Sequence, residues 1–199
     1  MRLLIFSDIH GDVKALERLV ATPADAYFVA GDLATFSKGL DKMGPVLEQA
    51  KAPVYVMPGN HESETQSSAF CKQYGLEFFH NRVIEMAGCH IAGLGYSNIT
   101  PFNTPGEYSE PEFAERLAPW AKLKPLVLIC HCPPLNTPLD RAGELKHFGS
   151  PTIARFIEEN QPEWFFCGHI HEAEGVHATL GAATRGVNVG KRGYLLELT

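Results

Sequence analysis

The chain predicts an α/β fold built on parallel strands, and three features of its first third say so. Leu3-Leu4-Ile5-Phe6, Ala26-Tyr27-Phe28-Val29-Ala30 and Val54-Tyr55-Val56-Met57 are short, continuously apolar runs, the pattern of strands buried on both faces. Between the first two, Val13, Leu16, Leu19 and Val20 recur at helical spacing behind Asp12, a residue suited to capping a helix N-terminus. Each apolar run also ends at a polar turn: Ser7-Asp8, Gly31-Asp32 and Pro58-Gly59. With a second helix expected over about 38–50, where Gly39, Gly44 and Pro45 disfavour an early start, the order is β-α-β-α-β. That order implies parallel strands joined by right-handed crossovers.

The remaining elements follow from the same patterns. A helix is expected over 67–74, short strands at 78–79, 83–86 and 90–94, a helix at 112–117 and a strand at 126–130. A further helix is expected at 152–159, a buried strand at 164–167, and tail strands at 182–189 and 194–198. Two long loops, 95–111 and 133–150, interrupt them, and loops of that length in a compact domain are more often functional than idle. There is no internal repeat and no low-complexity tract, so 1–199 reads as one domain large enough to bury a core.

Composition narrows the partners. With 45% hydrophobic and 20% charged residues the chain is an ordinary globular one. A formal charge of -6 and a pI near 5.8 argue against a broad basic surface for duplex nucleic acid. Phosphate substrates remain open, because bound divalent ions would dominate the local field of a small acidic pocket. No apolar run is long enough to span a membrane, and residues 3–6 reach Ser7-Asp8 too soon for a signal peptide. Five cysteines without paired metal-ligand spacing suggest reduced thiols and the cytoplasm. In Cys130-His131-Cys132, strand alternation points both sulfurs away from the face that His131 uses, so the thiols read as packing groups.

The chemistry is concentrated in five short stretches: Asp8-Ile9-His10, Gly31-Asp32, Gly59-Asn60-His61-Glu62, His131 and Gly168-His169-Ile170-His171. Each falls just past the C-terminal end of an expected strand, where open α/β sheets bind ligands. Together they offer imidazoles, carboxylates and a carboxamide, the mixed nitrogen and oxygen donors that divalent metals accept. Two ions ~3.5–4 Å apart need a carboxylate they can share, and Asp32 is the natural candidate, although alone it could be a turn or cap residue. Asp8 and His10, spaced by two, can face one side at a strand end, and His169 and His171 repeat the spacing.

In this order the motifs resemble those of the calcineurin-like metallophosphoesterase superfamily, and they span Asp8 to His171. The resemblance implies a four-layer αββα sandwich, two mixed β-sheets flanked by helices. It implies one metal held by Asp8, His10, Asp32 and His171, and a second held by Asp32, Asn60, His131 and His169. It places His61 on the substrate, where an imidazolium would stabilise the pentacoordinate phosphorus and protonate the leaving oxygen after in-line attack by a metal-bridging hydroxide. Glu62 would orient His61 or sit at a helix start, and Asp12 is most simply a cap. The donor set suits two divalent ions, Mn²⁺ first, with Fe, Zn²⁺ or Ni²⁺ as alternatives.

Departures narrow the subgroup. The Asp-Arg-Gly of Ser/Thr protein phosphatases is replaced by Leu33-Ala34-Thr35-Phe36, and no Tyr follows Asp32 as in purple acid phosphatases. The chain is most similar to the small, compact microbial phosphoesterases, which implies a phosphodiesterase acting on a small phosphate ester. A phosphomonoesterase of nucleotides or sugar phosphates is the nearest alternative, and a protein-binding scaffold of the same fold a more distant one, since all seven ligand positions and His61 are present. His80, His90 and His177 lie outside every motif and read as surface or supporting residues. Arg141, Lys146 and His147, with Tyr96, Asn98 and Asn103, are the loop residues that could shape a pocket. Oligomeric state is not encoded legibly.

Overall fold

A computed structural model gives the fold for residues 1–143 and 146–198, so positions 144 and 145 of the second long loop and position 199 lie outside the described residues. The first sheet takes β1 (Arg2–Phe6), β2 (Ala26–Ala30), β3 (Val54–Met57) and β4 (Glu77–Phe78) in parallel order. Between β4 and the chain end come β5 (Arg82–Met86), β6 (Cys89–Leu94), β7 (Ser97–Asn98), β8 (Glu107–Tyr108), β9 (Leu126–Cys130), β10 (Arg141–Ala142) and β11 (Lys146–His147). They are followed by β12 (Trp164–Cys167), β13 (His177–Leu180), β14 (Thr184–Asn188) and β15 (Tyr194–Glu197). β15 closes the edge of the first sheet antiparallel to β1, giving the order β15-β1-β2-β3-β4. The second sheet runs β13-β14-β12-β9-β6-β5, parallel through its four central strands and antiparallel at both edges.

Strand alternation builds the layers. Leu3, Ile5, Ala26, Phe28 and Ala30 face Ile91, Val127, Ile129, Phe166 and Val187 of the second sheet, and this seam is one buried cluster. The intervening residues Leu4, Phe6, Tyr27 and Val29 point outward onto Leu16 and Leu19 of α1 (Val13–Val20), Val46 and Leu47 of α2 (Gly44–Leu47) and Phe70 of α3 (Glu64–Tyr74). On the far side, Leu126, Leu128 and Cys130 pack with Phe113 and Leu117 of α4 (Glu110–Leu117) and Ile153, Phe156 and Ile157 of α5 (Pro151–Asn160). The result is helix, sheet, sheet, helix. Continuous apolar runs are what strands covered on both faces require.

Local chemistry moved several boundaries. The helix expected over 38–50 is a 3₁₀ turn (Leu40–Lys42) and the short α2, because Gly39 adopts a left-handed φ of 80° and Pro45 withholds an N–H. α3 starts earlier than 67 because Ser63 and Gln66 form a capping box, and Ser109 with Glu112 does the same for α4. The loop 95–111 contains the β7–β8 pair, and the loop 133–150 contains a 3₁₀ turn (Pro138–Asp140) and the β10–β11 hairpin. β13, a polar edge strand, carries no apolar run that sequence reading could detect. Cys130, Cys132 and Cys167 are buried in the outer layer under α4 and α5, pointing away from His131 as alternation requires. No helix among the described residues is long and apolar enough to cross a membrane.

Candidate metal centre

Five strands aim their C-terminal ends at one point between the sheets: Asp8 follows β1, Asp32 follows β2, Asn60 follows β3, His131 follows β9 and His169 follows β12. The convergence is not strand alternation carried on. Asp8, His10, Asp32 and His169 all sit in the left-handed region, at φ 56°, 48°, 55° and 67°. Non-glycine residues enter that region at a cost, and such strain gathers where a site demands it. The backbone helps to hold it: Asp8 N–H donates to Gly31 O at 3.1 Å, and His10 N–H to Asp32 O at 3.0 Å.

The side chains form two groups that meet at one oxygen. In the first, Asp8 Oδ1 lies 3.8 Å from His10 Nε2 and 3.5 Å from His171 Nε2, and the two histidine nitrogens are 3.0 Å apart. In the second, Asn60 Oδ1 lies 3.1 Å from His131 Nε2 and 3.0 Å from His169 Nδ1. Asp32 Oδ2 faces both, 3.6 Å from His10 Nε2 and 3.3 Å from His131 Nε2. Its other oxygen accepts the His61 N–H at 3.0 Å, which fixes the carboxylate's rotation. His169 and His171, separated only by Ile170, therefore diverge to different groups, while Asp8 and His10 share one.

The donor chemistry fits cations. His131 donates Nδ1–H to Ala30 O at 2.8 Å, so in the neutral ring Nε2 carries a lone pair toward two oxygen acceptors. Asn60 donates its amide N–H to Thr104 Oγ1 at 3.3 Å and so turns its carbonyl toward the imidazoles. Facing lone pairs are reconciled by a proton or by a metal ion. The titration directions say the same. Burial would lower His131, but Asp32 beside it drives it up to about 9. Burial would raise Asp8, yet hydrogen bonds from His10 and His171 hold it well below the usual carboxylate range. Asp32 is also lowered, with burial outweighed chiefly by His131. His169, pushed down to about 4 by burial and by His131, is neutral at physiological pH, the form in which an imidazole can bind a cation. Donor atoms of Asp8, His10 and His171, of His10, Asp32 and His61, and of Asp8, Asp32 and His131 form groups within 4.8 Å, the size a bound ion spans.

A family model for the calcineurin-like phosphoesterase matches residues 1–173. The chain belongs to this family. An uncharacterised protein of Methanocaldococcus jannaschii, MJ1162, is 33% identical over 179 residues, 87% of this chain and 81% of the relative. Among solved structures, the phosphopantetheinyl hydrolase of Mycobacterium tuberculosis superposes with a TM-score of 0.70 at 20% identity, over 96% of this chain and 90% of that one. A dimetal phosphatase of Danio rerio superposes at 0.63 with 11% identity, over 96% and 88%. At those identities the two structures speak for the fold alone. The family and the paired donor groups together give this phosphoesterase the ligand set of a binuclear divalent-metal site.

Glu62 has a different place in the phosphoesterase from the one its motif suggested. Its carboxylate accepts Asp32 N–H at 3.1 Å, Ala34 N–H at 2.9 Å and Gly59 N–H at 3.0 Å. It neither touches the His61 ring among the described contacts nor starts α3, whose cap is Ser63. It is a buried clamp between the Asp32 and Asn60 turns, and burial pushes its pKa up to about 8. Thr35, which meets His10 Nδ1 at 3.0 Å, and Thr104 were missed as supports. Thr35 had a signal, standing three residues after Asp32, and Thr104 had none. Glycine clears the approach: a Cβ on Gly168 would collide with Asp8 Oδ2 and Ser7 Oγ, and one on Gly59 with Asp32 Oδ1.

His61 lines a cleft of about 440 Å³ together with Asp8, His10, Thr35, His171, Glu174, Gly190 and Lys191. Its Nδ1 accepts the Phe36 N–H at 3.3 Å, which leaves Nε2 to carry the ring proton, and burial lowers its pKa. The other loop candidates lie elsewhere. His147 bonds buried Asp140 at 2.6 Å, Asn98 donates to Gly149 O at 3.3 Å, and Tyr96 OH accepts from Glu64 N at 2.8 Å. His80 is not a surface residue. It is buried, accepting Gly95 N–H at 3.0 Å on Nδ1 and meeting Tyr108 OH at 2.9 Å.

Proposed function

We propose that this protein is a binuclear metal-dependent phosphoesterase that prefers phosphodiesters. One observation carries the reading: a single carboxylate oxygen, Asp32 Oδ2, faces two separate groups of neutral and anionic donors. Asp8, His10, Asp32 and His171 would hold one ion, and Asp32, Asn60, His131 and His169 the other. Two bound divalent ions, Mn²⁺ first, would supply the Lewis acidity that activates water and offsets charge on the phosphoryl oxygens. The chain's own contribution is placement. Glu62 clamps two ligand turns together, Asp32 Oδ1 holds the His61 backbone, and Phe36 sets the His61 tautomer. His61 then offers Nε2–H to the leaving oxygen.

Beyond the two ions, the cleft's own side chains offer little positive charge, which suits a singly charged diester. Its one lysine, Lys191, is engaged with Asp12 at 3.3 Å, and Glu174 adds an acid. A monoester dianion would find no free cationic side chain there among the described residues, whereas a diester carries one charge. Five unpaired, buried cysteines agree with a reducing cytoplasm as its location.

The test is Mn²⁺-dependent hydrolysis of bis-p-nitrophenyl phosphate beside p-nitrophenyl phosphate, with His61→Ala as the variant. Diester turnover should exceed monoester turnover. His61→Ala should lower kcat by about 10²-fold or more, increasingly for poorer leaving groups. Preference for the monoester, or a variant as active as wild type, would sink the reading.

A further inference from the structure

Phe36 runs against its own chemistry in three ways. Its backbone is left-handed at φ 48°, a conformation that bulky residues hold only under constraint. Its side chain is 47% exposed, although burial of an aromatic ring is favourable. The ring stands edge-on to His61, with centroids 4.7 Å apart at 82°. Neighbours maintain the strained turn. Ser37, itself at φ 55°, has Gln66 Oε1 at 2.9 Å and His61 O at 3.3 Å within reach of its one hydroxyl proton. The His61 tautomer needs only the Phe36 N–H, which glycine would supply without strain. What phenylalanine adds there is an exposed ring beside His61.

The surroundings say what that ring can meet. Ile99 and Phe102, 70% and 75% exposed, stand on the loop that Thr104 ties to Asn60 at 3.3 Å. Among the described residues the cationic side chain that lines the cleft, Lys191, is already engaged with Asp12.

We propose that Phe36 forms a subsite for an apolar substituent on the leaving alcohol, so that phosphodiesters of aryl- or alkyl-bearing alcohols are preferred over those of glycerol or sugars. This deepens the phosphodiesterase reading and rests on it. The Phe36 ring stands exposed beside His61, next to Thr35 of the cleft wall, so a substituent that extends from the leaving oxygen past His61 would meet it. In the reaction the P–O bond to that alcohol breaks with its electron pair going to oxygen. Water supplies the new P–O bond and gives up a proton, and the leaving alkoxide takes one up.

The experiment uses the methyl phosphodiesters of phenylethanol, isopentanol and glycerol, with the released alcohol identified by chromatography, so that methanol release is scored separately, and with rates corrected for the greater acidity of glycerol. For the Mn²⁺-loaded wild type, kcat/KM for the first two should exceed that for the glyceryl ester by about tenfold, the range of one aromatic contact. Phe36→Ala, which keeps the N–H, should collapse that ratio toward one, chiefly through KM. Phe36→Leu separates the sources: it keeps isopentyl selectivity, and it loses phenylethyl selectivity if the contact is ring on ring. Calorimetric binding of methyl(phenylethyl)phosphinate, whose two P–C bonds leave no ester to cleave, against dimethylphosphinate, gives a second readout. Turnover with no Phe36-dependent ratio would overturn the subsite alone. Absent turnover with Phe36-dependent binding would overturn the phosphodiesterase reading and support the subsite. Absence of both overturns both.

Discussion

At the scale of single residues, Asp32 is where the two donor groups become one centre. Its buried carboxylate has one oxygen committed to the His61 N–H and the other to the histidines of both groups. Asp32→Asn removes the shared charge but keeps the shape. The expected outcome is loss of bound metal at both positions, read as metal-to-protein stoichiometry after equilibration with Mn²⁺. Activity should fall by at least about a hundredfold, the upper end of what even an outer partner of a metal ligand costs. Full occupancy of either position would refute the bridging role. The residues whose donors converge here were legible as candidates because each pairs a donor with a turn or a strand end in a fixed order. Glu62, Thr104 and Phe36 were not, because what they do depends on neighbours 25 to 44 positions away in the chain.

At the scale of elements, the site depends on how strands stop. Five strands were expected to end at motifs, and β1, β2, β3, β9 and β12 do so. The turns beyond them differ from the expectation: alternation would have carried Asp8 and His10 to one face, whereas left-handed turns do it. Such turns leave no room for extra atoms. Gly168 closes β12 against Asp8 and Ser7, and Gly168→Ala would force the Asp8 carboxylate from its place beside His10 and His171. The expected result is weaker Mn²⁺ binding, by roughly ten- to a hundredfold, with the far-ultraviolet circular dichroism of the fold retained. Unchanged affinity measured by calorimetry would show that the approach is looser than the packing indicates.

At the scale of the whole molecule, two sheets share one seam, and buried polar residues tie the loops at its rim. His80 is such a tie, linking the end of β6 to Tyr108 of β8 through Gly95 and the phenol. Burial lowers its pKa from 6.5 to about 4. The unfolded chain therefore binds a proton that the folded chain refuses. The stabilising contribution is whole above about pH 6.5 and is lost as the pH falls toward 4. Its size is on the order of 3 kcal/mol for a shift of that extent. Urea unfolding of metal-free wild type and His80→Gln at pH 7 and at pH 4.5 isolates it, since other groups titrate alike in both. The stability gap between them should narrow at the lower pH, and a constant gap would rule out His80 as its source.

By itself the sequence determined the alternation of apolar strands and helices, the layers that such alternation builds, and the order in which metal-binding side chains reach the strand ends. These are local properties, carried by periodicity and by turn chemistry within a few residues. Tertiary structure alone decided that Glu62 clamps two turns instead of orienting His61, and that an exposed phenyl ring stands beside His61. Those facts depend on the distance between strand ends after the sheets have packed, and no run of neighbouring residues records that distance.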